Sequence, residues 1–299
     1  MRARTLGGVA EVLANGVRLY YEEHGRGAPI LCIHGTSSSA RVWSPAAVEQ
    51  LARLGRVIVY DRRGCTRSER PERYTTSVAE HARDAAALVD ALRAAPAVVI
   101  GRSYGGETAL ELALQRPELV RGLVLLEAAA LNLDDEATRW ARQLLDEVEA
   151  AAARDPSSVA EAFLRRVVGD EQWASFPDSL QRMFTDNSPA ILAELRGPAL
   201  QRTASDLARI DVPTLLVAAE ESPPMFRRVT ELMGAAIPRS TMVHVSGGHL
   251  IDPGESDVLA FVTEILGAGM RGGLPPLVRR GRGVGSLRRV DHLAGRSGA

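Results

Sequence analysis

The chain reads as an α/β protein: a mostly parallel central sheet with helices on both faces. Three observations predict this. Six short runs are apolar throughout instead of alternating, the pattern of strands buried on both faces. Stretches with an apolar period near 3.6 lie between them, and strand–helix alternation implies a parallel sheet covered on both sides. The 299 residues are 45% apolar and 24% charged with a formal net charge of -1, the mix of an ordinary globular chain with material for a sizeable core.

Taken in order, residues 9–24 read as two short strands around Asn15-Gly16, a favoured hairpin turn. The apolar runs then follow. Pro29–Ile33 ends in His34-Gly35-Thr36, and Arg56–Tyr60 ends in Asp61-Arg62-Arg63-Gly64. Ala97–Ile100 ends in Gly101-Arg102-Ser103, and Gly122–Leu126 ends in Glu127. Val212–Val217 and Thr241–Val245 complete the set. Helical periodicity covers Ser77–Ala95, Thr108–Gln115 and Val258–Leu266. From about 130 to 208 the rhythm breaks: no strand is evident, and Pro177, Pro189 and Pro198 cut an all-helical insertion into short pieces. The expected division is therefore a core of residues 1–129 and 209–267, a helical insertion over 130–208 and a tail over 268–299. Residues 271–299 hold 7 Arg, 7 Gly and 1 Asp without sustained period, which predicts a disordered basic extension.

Composition excludes several chemistries. The chain has no lysine, so a P-loop lysine or a Schiff base is ruled out. Two cysteines, Cys32 and Cys65, exclude a disulfide framework and Cys-based metal motifs. Cys32 sits in an apolar run and reads as core; Cys65 follows a glycine and is expected to be more exposed. No run approaches a membrane span and no signal-peptide h-region follows Met1, so a cytoplasmic protein is expected. No paired-His spacing or GxGxxG suggests a metal or organic cofactor, and nucleic-acid and membrane partners are not expected. The expected partner is a small acyl substrate.

The strongest local signal is Gly101-Arg102-Ser103-Tyr104-Gly105-Gly106, which follows a strand and opens a helix. Such a turn strains its middle residue, and side chains two before and two after it would collide with backbone. The Ser103 hydroxyl is pushed clear of the sheet beside the free N–H groups of a helix N-terminus. A serine needs a base, and His is the apt one. Among six histidines, His249 lies in a Gly-rich loop after the last strand, at the carboxyl edge that Ser103 shares. His244 lies inside a strand and is expected to be packed. His34, next to a glycine, has a structural role in its loop or borders the pocket, as does Trp43. Arg102 is either a solvated rim residue or the partner of a nearby acid.

The order Ser…His, the strand–turn–helix serine, the His34-Gly35 turn, the Asp61-Arg62-Arg63-Gly64 turn and the helical insertion resemble the α/β-hydrolase superfamily over residues 9–266. The resemblance implies an oxyanion hole from the Thr36 and Tyr104 backbone amides, a helical cap over Ser103, and ester, thioester or lactone hydrolysis through an acyl-enzyme. The acid departs from the family's usual pattern. The expected Asp position is Ser222, in Ala219-Glu220-Glu221-Ser222-Pro223. Glu127, directly after the fourth apolar run, is the favoured third member; Glu220 and Glu221 are the other candidates. The irregular acid leaves two rivals open: a non-hydrolytic enzyme of the same fold (lyase, perhydrolase or cyclase), and a catalytically retired binding protein. Of the large residues in the insertion, Trp140, Phe163, Trp173, Phe176, Met183 and Phe184, most are expected in its own core.

Overall fold

A computed structural model describes residues 9–72 and 74–270; the basic tail over 271–299 and its expected disorder lie outside the described residues. The eight strands are β1 (Val9–Ala14), β2 (Val17–His24), β3 (Pro29–Ile33), β4 (Arg56–Tyr60), β5 (Ala97–Arg102), β6 (Val120–Leu126), β7 (Thr214–Ala219) and β8 (Ser240–Val245). They form one sheet in the order β1-β2-β4-β3-β5-β6-β7-β8. Strands β3 to β8 are parallel, and the β1–β2 hairpin adds antiparallel at one edge. The hairpin turns on Asn15 and Gly16 at φ 47° and 79°, the left-handed pair that matches strand twist.

The helices are α1 (Pro45–Leu54), α2 (Val78–Ala91), α3 (Tyr104–Gln115), α4 (Asp135–Arg154), α5 (Val159–Val168), α6 (Asp170–Ser175), α7 (Asp178–Asp186), α8 (Ser188–Arg196), α9 (Ala204–Leu207), α10 (Pro224–Ala236) and α11 (Ser256–Met270). Capping follows side-chain chemistry: Ser44, Ser77 and Asp134 accept the first free N–H groups of α1, α2 and α4. Apolar residues of β3, β4, β5 and β6 alternate between two cores. Leu31, Ile58, Val99 and Leu123 pack with α2, α3 and the end of α10; Ile30, Val57, Val98 and Val124 pack with α1 and α11. Covering both faces makes these strands read as continuous apolar runs.

Six helices, α4 to α9, separate β6 from β7. They carry a third core: Trp140, Leu144, Val148, Phe163, Leu164, Trp173, Phe176 and Phe184, joined from the sheet side by Phe226 of α10. Two positions differ from the sequence expectation. Cys65 is fully buried because its loop folds back on itself, the Cys65 N–H donating to Arg62 O and the Ser68 N–H to Cys65 O, both at 3.0 Å. His244 is exposed, because β8 is the edge of the sheet and this side chain takes its uncovered side. No helix among the described residues is long and apolar enough to cross a membrane.

Candidate active site

The site gathers at the carboxyl ends of β3, β5, β6, β7 and β8. Ser103 stands between β5 and α3 at φ 55°, ψ −122°. This strained conformation persists because the turn is over-determined. The Ser103 N–H donates to Leu126 O at 3.0 Å, and Ser103 O accepts from Gly106 at 2.8 Å and Ala129 at 3.0 Å. A Cβ at Gly105 would overlap the Ile33 and His34 carbonyls, and one at Gly101 would overlap Gly105 O. The glycines are thus what let β5 enter α3 so closely against β3.

His249 is buried in the loop after β8. Its Nδ1 lies 2.7 Å from Glu127 Oε2. Glu127 follows β6 at φ 47°, a left-handed conformation costly for a glutamate, and its N–H donates to Val217 O at 3.0 Å. The carboxylate is held on both oxygens: Oε1 accepts from the Ala219 N–H at 2.9 Å, and Oε2 also accepts from the Ser222 hydroxyl at 2.6 Å. Glu220 and Glu221 are exposed, and their backbone N–H groups pair with Val245 O and Gly247 O. The carboxylate that meets His249 is therefore Glu127. With Nδ1 donating to it, the neutral ring presents Nε2 as acceptor, and Nε2 has no hydrogen-bond partner among the described residues. The ring stacks on Phe226, centroids 3.9 Å apart at 26°.

Ser103 and His249 line one cavity with Gly35, Thr36, Phe163, Leu164, Val167, Val168, Phe184 and Leu250. It holds about 20 Å³ for the centre of a water molecule, room for about one water. A Cβ on Gly35 would lie 3.2 Å from Ser103 Cβ, so the β3 loop passes directly over the serine. Thr36 and Tyr104 flank Ser103 from that loop and from the first turn of α3. Their N–H groups donate to no backbone acceptor among the described residues. Of the large insertion residues, Phe163 and Phe184 reach the cavity, whereas Trp140, Trp173, Phe176 and Met183 pack in the helical core.

Two open alternatives resolve and one expected role changes. His34 does not border the cavity. It is fully buried, its Nδ1 2.8 Å from Gly35 O and its Nε2 accepting from the Arg62 N–H at 2.9 Å. Burial, then the Arg62 charge, holds its pKa well below the usual histidine range, so it stays neutral and structural. Trp43 is buried in the α1–α11 core and does not line the cavity. Arg102 is neither rim nor ion pair: it is buried, stacks over the Trp43 ring at 4.8 Å and donates to Ile251 O at 3.3 Å. Burial lowers its pKa to about 10. Arg102 thus ties the β5 turn to the loop that carries His249.

Sequence reasoning missed a buried polar layer beside the site. Arg62 donates from Nε to His34 O and from Nη2 to Gly35 O, both at 2.9 Å, with its guanidinium 4.8 Å from the Tyr104 ring. Its Nη2 lies 2.8 Å from Glu194 Oε1 of α8, and both side chains are fully buried. Asn187, between α7 and α8, accepts the Thr66 N–H at 2.8 Å and donates to Ser37 O and Ser38 O at 3.1 and 3.0 Å. The only sequence signal was a glutamate and an asparagine inside an apolar helical stretch. No group of three or more His, Cys, Asp or Glu positioned to hold a metal occurs among the described residues.

Known proteins resemble this chain in sequence and in fold. A 2-hydroxymuconate semialdehyde hydrolase of Pseudomonas sp. (strain CF600) is 36% identical over 129 residues, 41% of this chain and 44% of that protein. The match thus spans less than half the length of that relative. Among solved structures, a thermophilic esterase from Thermogutta terrifontis superposes with a TM-score of 0.69 at 25% identity, over 90% of this chain and 100% of that one. Est816, described as an N-acyl homoserine lactone degrading enzyme, superposes with a TM-score of 0.64 at 26% identity, over 88% and 99%. The family model of the alpha/beta hydrolase fold matches residues 28–251. With the sheet order, the serine turn and this match together, the chain belongs to the alpha/beta hydrolase fold family.

Proposed function

We propose that the protein is a serine hydrolase of carboxylic esters or related acyl compounds such as thioesters and lactones. One observation carries this reading: His249 is held by Glu127 at 2.7 Å and has an unpartnered Nε2, on the wall of the cavity that Ser103 also lines. Glu127 fixes the tautomer in which Nε2 is the base and stabilises the imidazolium that forms. Ser103 Oγ attacks the acyl carbonyl as its proton passes to His249. The oxyanion meets the Thr36 and Tyr104 N–H groups, each such donor being worth about 3 kcal/mol to the transition state. His249 then protonates the leaving alcohol, thiol or lactone hydroxyl. A water activated by the same histidine releases the acid from Ser103. The apolar walls contributed by Phe163, Leu164, Val167, Phe184 and Leu250 favour an apolar substrate group, and α5 has to yield for it to enter the small cavity. In this reading α4 to α9 act as the cap.

The names of the esterase and the lactone-degrading enzyme agree with acyl chemistry. The test is intact-protein mass after exposure to a fluorophosphonate probe, followed by a panel of acyl substrates. A single adduct on the wild type and none on Ser103→Ala is expected, with His249→Ala slowing labelling at least a hundredfold. A folded wild type that takes no adduct, or a Ser103→Ala variant that still turns over esters, overturns the proposal.

A further inference from the structure

The loop between β7 and α10 and the first turn of α10 each touch the Glu127–His249 pair. Ser222 donates to Glu127 Oε2 at 2.6 Å, the oxygen that also meets His249 Nδ1 at 2.7 Å. Four residues on, Phe226 stacks on the imidazole. Glu127 comes to this point from a backbone at φ 47°, so its direction depends on what meets it there. The Ala219 N–H holds only Oε1. The hydroxyl of Ser222 is the sole side chain besides His249 among the described residues that hydrogen-bonds the carboxylate. The neighbouring carboxylates of the loop, Glu220 and Glu221, are exposed.

We propose that Ser222 is a positioning residue of the catalytic pair: it sets the rotation of the Glu127 carboxylate against His249 Nδ1. The inference rests on the reading of Ser103, His249 and Glu127 as a triad. The residue types at 127 and 222 are complementary. One carboxylate and one hydroxyl donor satisfy each other, whereas two carboxylates at hydrogen-bond distance would share a proton and leave the imidazolium poorly supported. A second carboxylate at 222 should therefore impair the pair.

The experiment measures kcat/KM for an activated p-nitrophenyl ester across pH, together with the rate of fluorophosphonate labelling, and follows folding by thermal melting. Ser222→Ala is expected to lose about tenfold, the value of one hydrogen bond to a charged group. Its acidic limb should move to higher pH, because a carboxylate that loses a donor keeps more negative charge for the imidazolium. Ser222→Thr, which keeps the hydroxyl, should stay near wild type. Ser222→Asp alone should be impaired. Glu127→Gly, which suits the positive φ and opens space, should lose about a thousandfold.

Ser222→Ala within twofold of wild type with an unmoved limb overturns the inference. So does an Ala loss that Thr fails to rescue. A Glu127→Gly variant as fast as wild type is a different failure: it removes the triad reading itself.

Discussion

Replacing Arg62 by methionine tests how the buried polar layer holds the β3 loop. Arg62 and Glu194 both have side chains fully shielded from solvent, with Nη2 2.8 Å from Oε1. Burial is the largest influence and would lower the Arg62 pKa, but the Glu194 carboxylate, with smaller contributions from Cys65, Tyr104 and Tyr74, turns the net shift upward; Arg62 stays charged. With charge centres about 4 Å apart and an effective dielectric constant near 20, the attraction is about 4 kcal/mol. That sum is close to the desolvation cost of the two ions, so the pair as a whole contributes little compared with apolar residues. Breaking it is another matter. Arg62→Met strands a buried carboxylate and removes the donors to the His34 and Gly35 carbonyls, a loss of about 3–5 kcal/mol. Glu194→Met strands the guanidinium, which keeps both carbonyls, so it should cost about 2–3 kcal/mol. The double variant should lose less than the sum of the singles by at least about 2 kcal/mol. Urea unfolding with linear extrapolation measures all four corners of the cycle. Singles that add to the double within about 0.5 kcal/mol would refute the argument, because leaving either charge without its partner would then carry no cost of its own.

Two further outcomes follow from particular side chains. Burial pushes the Glu107 carboxyl from its ordinary 4.5 up to about 7, against the pull of Arg202. Between those values the folded chain holds a proton that the unfolded chain has released, so stability should fall as pH rises through that window, by up to about 3 kcal/mol. Glu107→Gln should abolish this part of the decline; equal loss between pH 5 and pH 8 in both proteins, read from urea midpoints, would count against it. Gly105→Ala drives a Cβ into two backbone carbonyls and should cost about 3 kcal/mol or more, whereas Gly248→Ala meets nothing within 4 Å and should melt within a few degrees of wild type. Matching melting temperatures for these two variants would mean that the close approach of β3 and α3 is not rigid.

The strands were legible because a sheet covered on both faces leaves no polar alternation: Ile30–Ile33 and Val98–Ile100 can be little else. The serine turn was legible because its glycines answer a steric demand local to six residues. Glu127 was legible as a carboxylate at the end of a buried strand, which needs a partner, and the structure brings it to His249. The rest depends on contacts distant in sequence. Nothing near Arg62 indicates that Glu194 will meet it, and a glutamate in an amphipathic helix normally faces water. Nothing in the sequence around Phe226 points to the imidazole, and only the packing of α10 sets it there. His244 and Cys65 were misread for the same reason: edge position and loop folding are properties of the whole sheet, not of neighbouring residues.

Asn187 and Glu194 have a mechanical consequence for how the helical segment can move. Both lie at the α7–α8 end, one stitched to the Ser37, Ser38 and Thr66 backbone, the other to Arg62. That end is riveted to the very loop that carries Thr36, so it cannot lift without dragging the loop along. The wall formed by α5, which lines the Ser103 cavity through Phe163, Leu164 and Val167, is held by apolar packing and by exposed ion pairs, Arg166 with Glu147 at 3.5 Å and Arg165 with Asp170 at 2.8 Å. Admission to the serine is therefore one-sided: the segment behaves as a cantilever, clamped at α7–α8 and free to flex at α5. Amide hydrogen exchange should be quick along α5 and slow through Asn187–Glu194.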